Sequence, residues 1–484
     1  MSKNIYLDAN GGIEMCHDAI EKYKMASELT NPSNITSSAG RVAATIYESA
    51  LDFIRTSVGS VQDKILVTSS ATESNATILY NIHKNYPCGH ILIVQDAHPS
   101  IEEAAKQYKI DYAFCSPDAF ESAITDMTIA VVITHVSSLT GKIQPSAKMI
   151  RRIHSIDPKI MVLCDATQAV GRLRINRSNI GADYMTFSSH KFGGPKGIGF
   201  ILISNKAYKR EDMTWHSLIP GGQQNNMRGG THNVSGVVSS AAALRYKLDT
   251  LYNDRRNTIS MTRGLYRSLC ELDNVSILNV QSEDEIEHTL GNTLLLKVPV
   301  CSKAIAVRLS EFGYDVGIGC ACQTEKTTSP NVLRISLPMG ITEPLDEFAP
   351  MLSSIINELG TSDETIQDPS PVSTKPDLSI LMPDTKLTDE QAIWAAEQLN
   401  VNLDSVLPDG LKTWMYGINV EREHGPKPHG WDNTDVGDVD LLIYAKITLA
   451  HLMEFPDYYD RLHKMEEAAE KYWKDKTKPK ILQE

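Results

Sequence analysis

Several protein classes are argued against by what this sequence lacks. Its 484 residues hold eight cysteines, at positions 16, 88, 115, 164, 270, 301, 320 and 322. They are too scattered for a disulfide scaffold and fit a reducing compartment. The only close pair is Cys320-Ala-Cys322; with no second pair at zinc-ligand spacing, no metal site is expected. No apolar run approaches the ~18 residues of a membrane span. The opening residues Met1-Ser-Lys-Asn-Ile-Tyr6 carry no apolar signal core, so a cytoplasmic protein is expected. Positive charge is also short: 47 Lys and Arg stand against 60 Asp and Glu, a net charge of −13. With no basic patch interleaved with aromatics, neither nucleic acid nor a membrane is an expected partner. There is no internal repeat.

The composition is that of a globular chain, 42% hydrophobic and 22% charged, and the length suggests two to four domains. Up to about residue 360, short apolar runs alternate with helix-period segments. Strands are predicted at Lys64–Thr68, His90–Val94, Ile129–Thr134 and Lys159–Cys164. Helices are predicted at Glu102–Lys109 and after Ser146. Continuous apolar strands alternating with helices predict a mostly parallel sheet covered on both faces. Ligands of such sheets bind beyond the carboxyl ends of the strands. Residues 359–386 are polar and proline-rich and read as a linker. Residues 387–484 read as a small all-α domain, with helices at Thr388–Leu399, Asp409–Glu423, Asp440–Glu454 and Tyr458–Asp475. The first of these opens on a capping Thr-x-x-Gln.

The chemistry centres on Ser188-Ser-His-Lys-Phe-Gly-Gly-Pro-Lys-Gly-Ile-Gly-Phe200. Lys191 follows a hydroxyl and an imidazole and precedes glycines that let backbone approach a ligand, surroundings suited to a catalytic amine. Upstream, Ser70 and Glu73 fit a capping box that opens a helix after a strand. That helix N-terminus suits a phosphate, although a capped helix without ligand is the plainer reading of those residues alone. Asp165 ends an apolar strand, where an unpaired carboxylate is costly, so it either caps a helix or pairs with a ligand. A lone cysteine such as Cys322 more often behaves as a small hydrophobe than as a nucleophile.

Taken together, the phrase S-x-H-K-x-x-G-P-K-G-x-G resembles the pyridoxal-phosphate lysine motif of class V aminotransferases, in particular cysteine desulfurases. The resemblance spans residues 5 to about 355 and keeps the order of motifs. It includes Tyr6-Leu-Asp, Asn31-Pro-Ser, Ser70-Ala-Thr-Glu73, His98-Pro, Asp165-Ala-Thr-Gln-Ala-Val-Gly171, Gly221 to Thr231, Gly319-Cys-Ala-Cys322 and Leu333-Arg-Ile-Ser-Leu337. It implies a fold-type-I pyridoxal-phosphate transferase over residues 1–358. Its large, mostly parallel domain would span about residues 15–255, and its small α/β domain would combine residues 1–14 with 256–358. By the same resemblance Lys191 binds the cofactor covalently and moves the substrate's α-proton. Ala71, Thr72, Ser188 and His190 hold the phosphate, and His98 stacks on the ring. Asp165 pairs with the ring nitrogen, and Gln168 with the ring hydroxyl. Thr231 reaches the phosphate of a neighbouring subunit, which implies a homodimer. Arg334 forks the substrate carboxylate, Ser138 lies on the substrate side, and Cys322 takes sulfur as a persulfide. The implied reaction converts L-cysteine to L-alanine, with a sulfur-acceptor protein as partner, for instance in iron–sulfur cluster biogenesis.

Four features depart from the family pattern. Ser137, Ser138 and Leu139 replace two asparagines and a glutamate; serine is shorter than asparagine, so the contact at Ser138 is either lost or made through water. Ala9-Asn-Gly-Gly12 replaces N-N-A-T. The histidine of an N-P-S-S-x-H phrase has no counterpart in residues 31–38. Eleven residues separate Cys322 from Arg334, a short span for a mobile sulfur-carrying loop. These departures leave two alternatives open: another class V lyase or aminotransferase, and a cofactor-binding scaffold with weak or no desulfurase activity. Past residue 387, Gly417–Gly425 and Lys446–Tyr459 resemble a small helical module that occurs in other proteins without known activity. There His424, His451 and Glu454 read as structural rather than metal-binding, and the module as a docking element.

Overall fold

The computed structural model describes residues 4–319, 331–361, 387–398 and 411–422, with single helical positions at 445, 448 and 464. The chain divides into two units, Met1–Asp363 and Glu364–Glu484.

The described residues of the first unit form two sheets. Its strands are β1 (Ile5–Leu7), β2 (Lys64–Thr68), β3 (His90–Val94), β4 (Asp111–Cys115), β5 (Thr128–Thr134) and β6 (Met161–Asp165). They continue with β7 (Tyr184–Ser188), β8 (Gly199–Ile203), β9 (Ser276–Ile277), β10 (Thr293–Lys297), β11 (Tyr314–Ile318) and β12 (Val332–Ser336). Seven strands form the larger sheet in the order β2-β8-β7-β6-β5-β3-β4. Strands β3 to β7 pair in parallel, while β8 runs antiparallel to both β7 and β2. Five strands form the second sheet, β1-β11-β12-β10-β9, where only β1 and β11 are parallel. The amino terminus thus adds an edge strand to a sheet built from residues 276–336.

The strands predicted from apolar runs form where expected, within two residues at their ends. Strands β6 and β7 are buried at every position, because helices lie on both faces of the sheet. One core cluster joins Leu92, Val131, Ile133, Val162 and Phe187 to Leu51 and Ile54 of helix α2 (Ser38–Val58), which follows α1 (His17–Ser27). On the other face Ile91, Ile93, Val132 and Leu163 pack on Ile78, Leu79 and Ile82 of α3 (Ala71–Asn85) and Ile101 of α4 (Pro99–Gln107). After these come α5 (Ser146–Ile156) and the long α6 (Val234–Cys270), whose first turns pack on the large-sheet core and whose last turns pack on the second sheet. Helices α7 (Ser302–Glu311) and α8 (Phe348–Thr361) complete the second core. Helix α8 extends three residues into the stretch read as linker.

In the second unit, α9 (Asp389–Gln398) opens on the anticipated capping box: Gln391 N–H donates to Thr388 Oγ1 at 3.3 Å and Thr388 N–H to Gln391 Oε1 at 3.0 Å. Helix α10 (Leu411–Arg422) packs on α9 through the buried Trp414, whose indole N–H donates to Ala392 O at 3.0 Å. The helices expected at 440–454 and 458–475, and His424, His451 and Glu454, lie outside the described residues except at positions 445, 448 and 464. Among the described residues no helix is long and apolar enough to cross a membrane, and no group of three His, Cys, Asp or Glu side chains is arranged to hold a metal.

Candidate active site

Segments that follow the large-sheet strands deliver side chains to one cavity of about 340 Å³ at the carboxyl ends of those strands. Ser70, Ala71 and Thr72 begin α3 just after β2. Thr134 ends β5, Asp165 ends β6, and Ser188 ends β7, with Lys191 three residues on. The second sheet adds Arg334 from β12 and Asn10 from just beyond β1. The same wall holds Asn75, His98, Ser138, Thr167, Gln168 and His190.

The α3 N-terminus forms as a variant of the expected capping box. Glu73 N–H donates to Ser70 Oγ at 3.2 Å, but the Glu73 carboxylate reaches back to Ser69 N–H at 2.7 Å rather than to Ser70. Arg228 also pairs with Glu73 at 2.9 Å. Ala71 and Thr72 of the first turn line the cavity, at the end of the helix that carries the positive pole of its dipole.

Asp165 is buried and is held by neutral donors. Asn75 Nδ2 donates to its Oδ2 at 3.1 Å, and Thr167 N–H to its Oδ1 at 2.9 Å. Thr186 Oγ1 in turn donates to Asn75 Oδ1 at 2.6 Å, which fixes the orientation of that amide. Lys191 Nζ donates to the carbonyls of Asn10 and Gly11 at 2.6 and 2.8 Å. His98 caps α4, its Nδ1 accepting from Ser100 N–H at 3.1 Å. Ser188 Oγ lies 3.1 Å from His190 Nδ1.

A buried arginine that sequence reasoning missed ties this floor together. Arg172 Nη1 donates to Gln168 Oε1 at 2.6 Å and to Asn10 Oδ1 at 3.1 Å. Its Nη2 donates to Ala9 O at 2.7 Å and its Nε to Lys191 O at 3.0 Å. Burial, and secondarily the neighbouring Arg334, lower its pKa to about 10. Gln168, expected to face a ring hydroxyl, also donates from Nε2 to Asn10 O at 2.9 Å. Asn10 Nδ2 donates to Ser138 O at 3.1 Å, so an amide does reach Ser138, but from the amino terminus. The one sequence signal for Arg172 was a charge directly after an apolar turn. Gly171 accounts for that turn: it has φ +73°, and a Cβ there would sit 2.5 Å from Phe192 Cβ.

The donor set fits pyridoxal phosphate. The carboxylate of Asp165 suits a protonated ring nitrogen, the α3 amides with Ser188 and His190 suit a phosphate, and Lys191 supplies the amine. Two hydroxyls of the cavity wall, Thr134 Oγ1 and Thr167 Oγ1, are buried without a hydrogen-bond partner, as expected where a polar ligand completes the site. One expected residue is not brought in: Thr231 is exposed and does not line the cavity. Cys322 lies outside the described residues.

The histidines of this region give a pH signature. Burial lowers the pKa of His135 to about 4. His190 is likewise lowered to about 4, by burial first and then by Lys191, Arg172 and Lys196. In the unfolded chain both titrate near 6.5, so between these values the unfolded state binds more protons. Stability is therefore full above about pH 6.5 and falls as pH drops toward 4, by up to ~1.4 kcal/mol per pH unit for His135 and less for the more solvated His190. Denaturant titrations at pH 7, 6 and 5 should show the decline, and His135→Asn should flatten it.

Residues 5–344, more than half of the chain, match the family Aminotransferase class-V, and residues 392–468 match Protein of unknown function (DUF5661). The chain is 26% identical over 356 residues to the cysteine desulfurase IscS of Dictyoglomus turgidum, covering 70% of this chain and 87% of that one. It is 26% identical over 346 residues to a cysteine desulfurase of Nostoc sp., covering 68% and 83%. In fold it is similar to the NifS-like protein of Rickettsia africae, with a TM-score of 0.64 and 23% identity over 73% of this chain and 99% of that one.

Proposed function

The chain belongs to the class-V aminotransferase family, and from that premise we propose that it is a pyridoxal-phosphate-dependent cysteine desulfurase, converting L-cysteine to L-alanine and passing the sulfur to Cys322. One observation carries the reading: an amine, a buried carboxylate and a guanidinium, those of Lys191, Asp165 and Arg334, border a single cavity with a helix N-terminus.

When bound, pyridoxal phosphate supplies an electron sink for negative charge developing at the substrate. The residues of the chain do the rest. Ala71, Thr72, Ser188 and His190 hold the phosphate, Asp165 holds the ring-nitrogen proton, and His98 covers the ring. Arg334 takes the substrate carboxylate, and Lys191 Nζ moves the α-proton. The Cys322 thiolate attacks the substrate sulfur. An S–S bond forms and the Cβ–S bond breaks, its electron pair staying with Cβ. A proton then completes the methyl group of alanine. A thiol reductant releases the sulfur as sulfide. In this reading two chains pair, with Thr231 serving the neighbour's phosphate, in the cytoplasm. Residues 387–484, after the linker 359–386, dock a sulfur-acceptor protein, and iron–sulfur cluster biogenesis is one use of that sulfur.

The test is incubation of the cofactor-loaded protein with L-cysteine and a thiol reductant. Alanine and sulfide should form in equal amounts, and Cys322→Ser should abolish sulfide. A second reading, another class V lyase or aminotransferase, is favoured by Ser138 on the cavity wall and by Leu139 next to it in sequence, where the family pattern carries asparagine and glutamate. Turnover of another amino acid that Cys322→Ser leaves unchanged would select it.

A further inference from the structure

Arg334 is not waiting open-handed for a substrate. Its side chain is 2% exposed, on the central strand β12 of the second sheet. Nη2 donates to Asp8 Oδ1 at 2.6 Å, and Nη1 to Ser138 O at 3.3 Å. Nε is buried with no hydrogen-bond partner. The Asp8 carboxylate thus occupies the guanidinium that the proposed reaction needs.

The niche is built for this pair. Asp8 directly follows β1, where Leu7 pairs with Val316 on β11, and Gly317 of β11 stands opposite Arg334 in register. A Cβ on Gly317 would fall 2.6 Å from Asp8 Oδ1 and 3.1 Å from Arg334 Nε and Nη2. A Cβ on Gly11 would fall 2.6 Å from Asp8 Oδ2. Two missing side chains therefore make room for the carboxylate.

The two partners differ in freedom. The Asp8 side chain is 22% exposed against 2% for Arg334. Asp8 can turn out into water, whereas a desolvated guanidinium cannot be left without an anion. The exchange that remains is one carboxylate for another. We infer that Asp8 is an internal competitor for Arg334, a resident carboxylate that the substrate's own carboxylate must displace. Asp8 then lowers affinity for α-carboxylate ligands and leaves ligands that lack that group unaffected. This rests on the reading of Arg334 as the carboxylate acceptor.

The test is calorimetric titration of the cofactor-loaded protein with L-alanine and with L-alaninamide, which lacks the carboxylate. Asp8→Asn removes the competing charge and should tighten L-alanine binding about tenfold, leaving L-alaninamide unchanged. Gly11→Ala keeps the charge but pushes Asp8 off Arg334, and should shift L-alanine in the same direction. Weaker or unchanged L-alanine binding in both variants overturns the inference and makes Asp8 a residue that merely orients Arg334. Arg334→Gln separates the two levels. If it leaves L-alanine affinity unchanged, the reading of Arg334 falls and the inference with it. If it weakens affinity while neither other variant tightens it, only the role of Asp8 falls.

Discussion

Lys191→Ala should lower alanine formation from L-cysteine by about 10³-fold, within the range that a positioned general base contributes. The Nζ of Lys191 is fixed by two carbonyls, those of Asn10 and Gly11, at 2.6 and 2.8 Å. Its own carbonyl is fixed by Arg172 at 3.0 Å. The Nζ contacts run to the amino-terminal segment, 181 and 180 residues away in the chain, so the amine is aimed by the junction of the two sheets. Truncation removes the side chain without disturbing the carbonyl held by Arg172, and the thermal unfolding midpoint should stay close to that of the parent. The rate of alanine release checks this expectation. A variant retaining a tenth of parental turnover would remove Lys191 from the chemistry.

The second large effect is expected at Asp165. Asp165→Asn is nearly isosteric, yet it conflicts with the relay behind it. Thr186 donates to Asn75 Oδ1, so Asn75 must present Nδ2 forward. A carboxamide at 165 that keeps its oxygen toward Thr167 N–H meets that Nδ2 with a second donor. The variant loses a negative charge and gains a donor–donor clash in a buried place, where neither is screened. Turnover should fall by about 10²–10³-fold, the range seen when one preorganised electrostatic group is removed. Thr186→Val, which frees Asn75 to flip, should recover part of the loss in the double variant. Initial rates for the parent, the single variants and the double variant measure the coupling. Purely additive losses would show that the relay does not orient Asp165.

What could be read from the sequence was local. Lys191, Asp165, Ser188 and Thr72 sit at strand ends or a helix start, and each carries its chemistry in a short phrase. Apolar runs such as Ile129–Thr134 declared the strands, because burial on both sheet faces leaves no polar position in between. The network under the site has no such phrase. Arg172 meets Asn10 across 162 residues and Asp8 meets Arg334 across 326, so only the closing of β1 onto β11 reveals either contact. The capping box at Ser70 was foreseen from spacing. That Glu73 would also pair with Arg228, 155 residues on, was not. Thr231 shows the reverse case. Its phrase was legible, but its proposed partner is a second chain, and here it lies exposed outside the cavity.

The central claim is that sulfur from L-cysteine comes to rest on Cys322. The most direct measurement is the mass of the Cys322-containing peptide after the cofactor-loaded protein meets L-cysteine without reductant. The account predicts a gain of one sulfur atom on that peptide, matched by free alanine and reversed by a thiol. An unmodified peptide from protein that has produced alanine would contradict it.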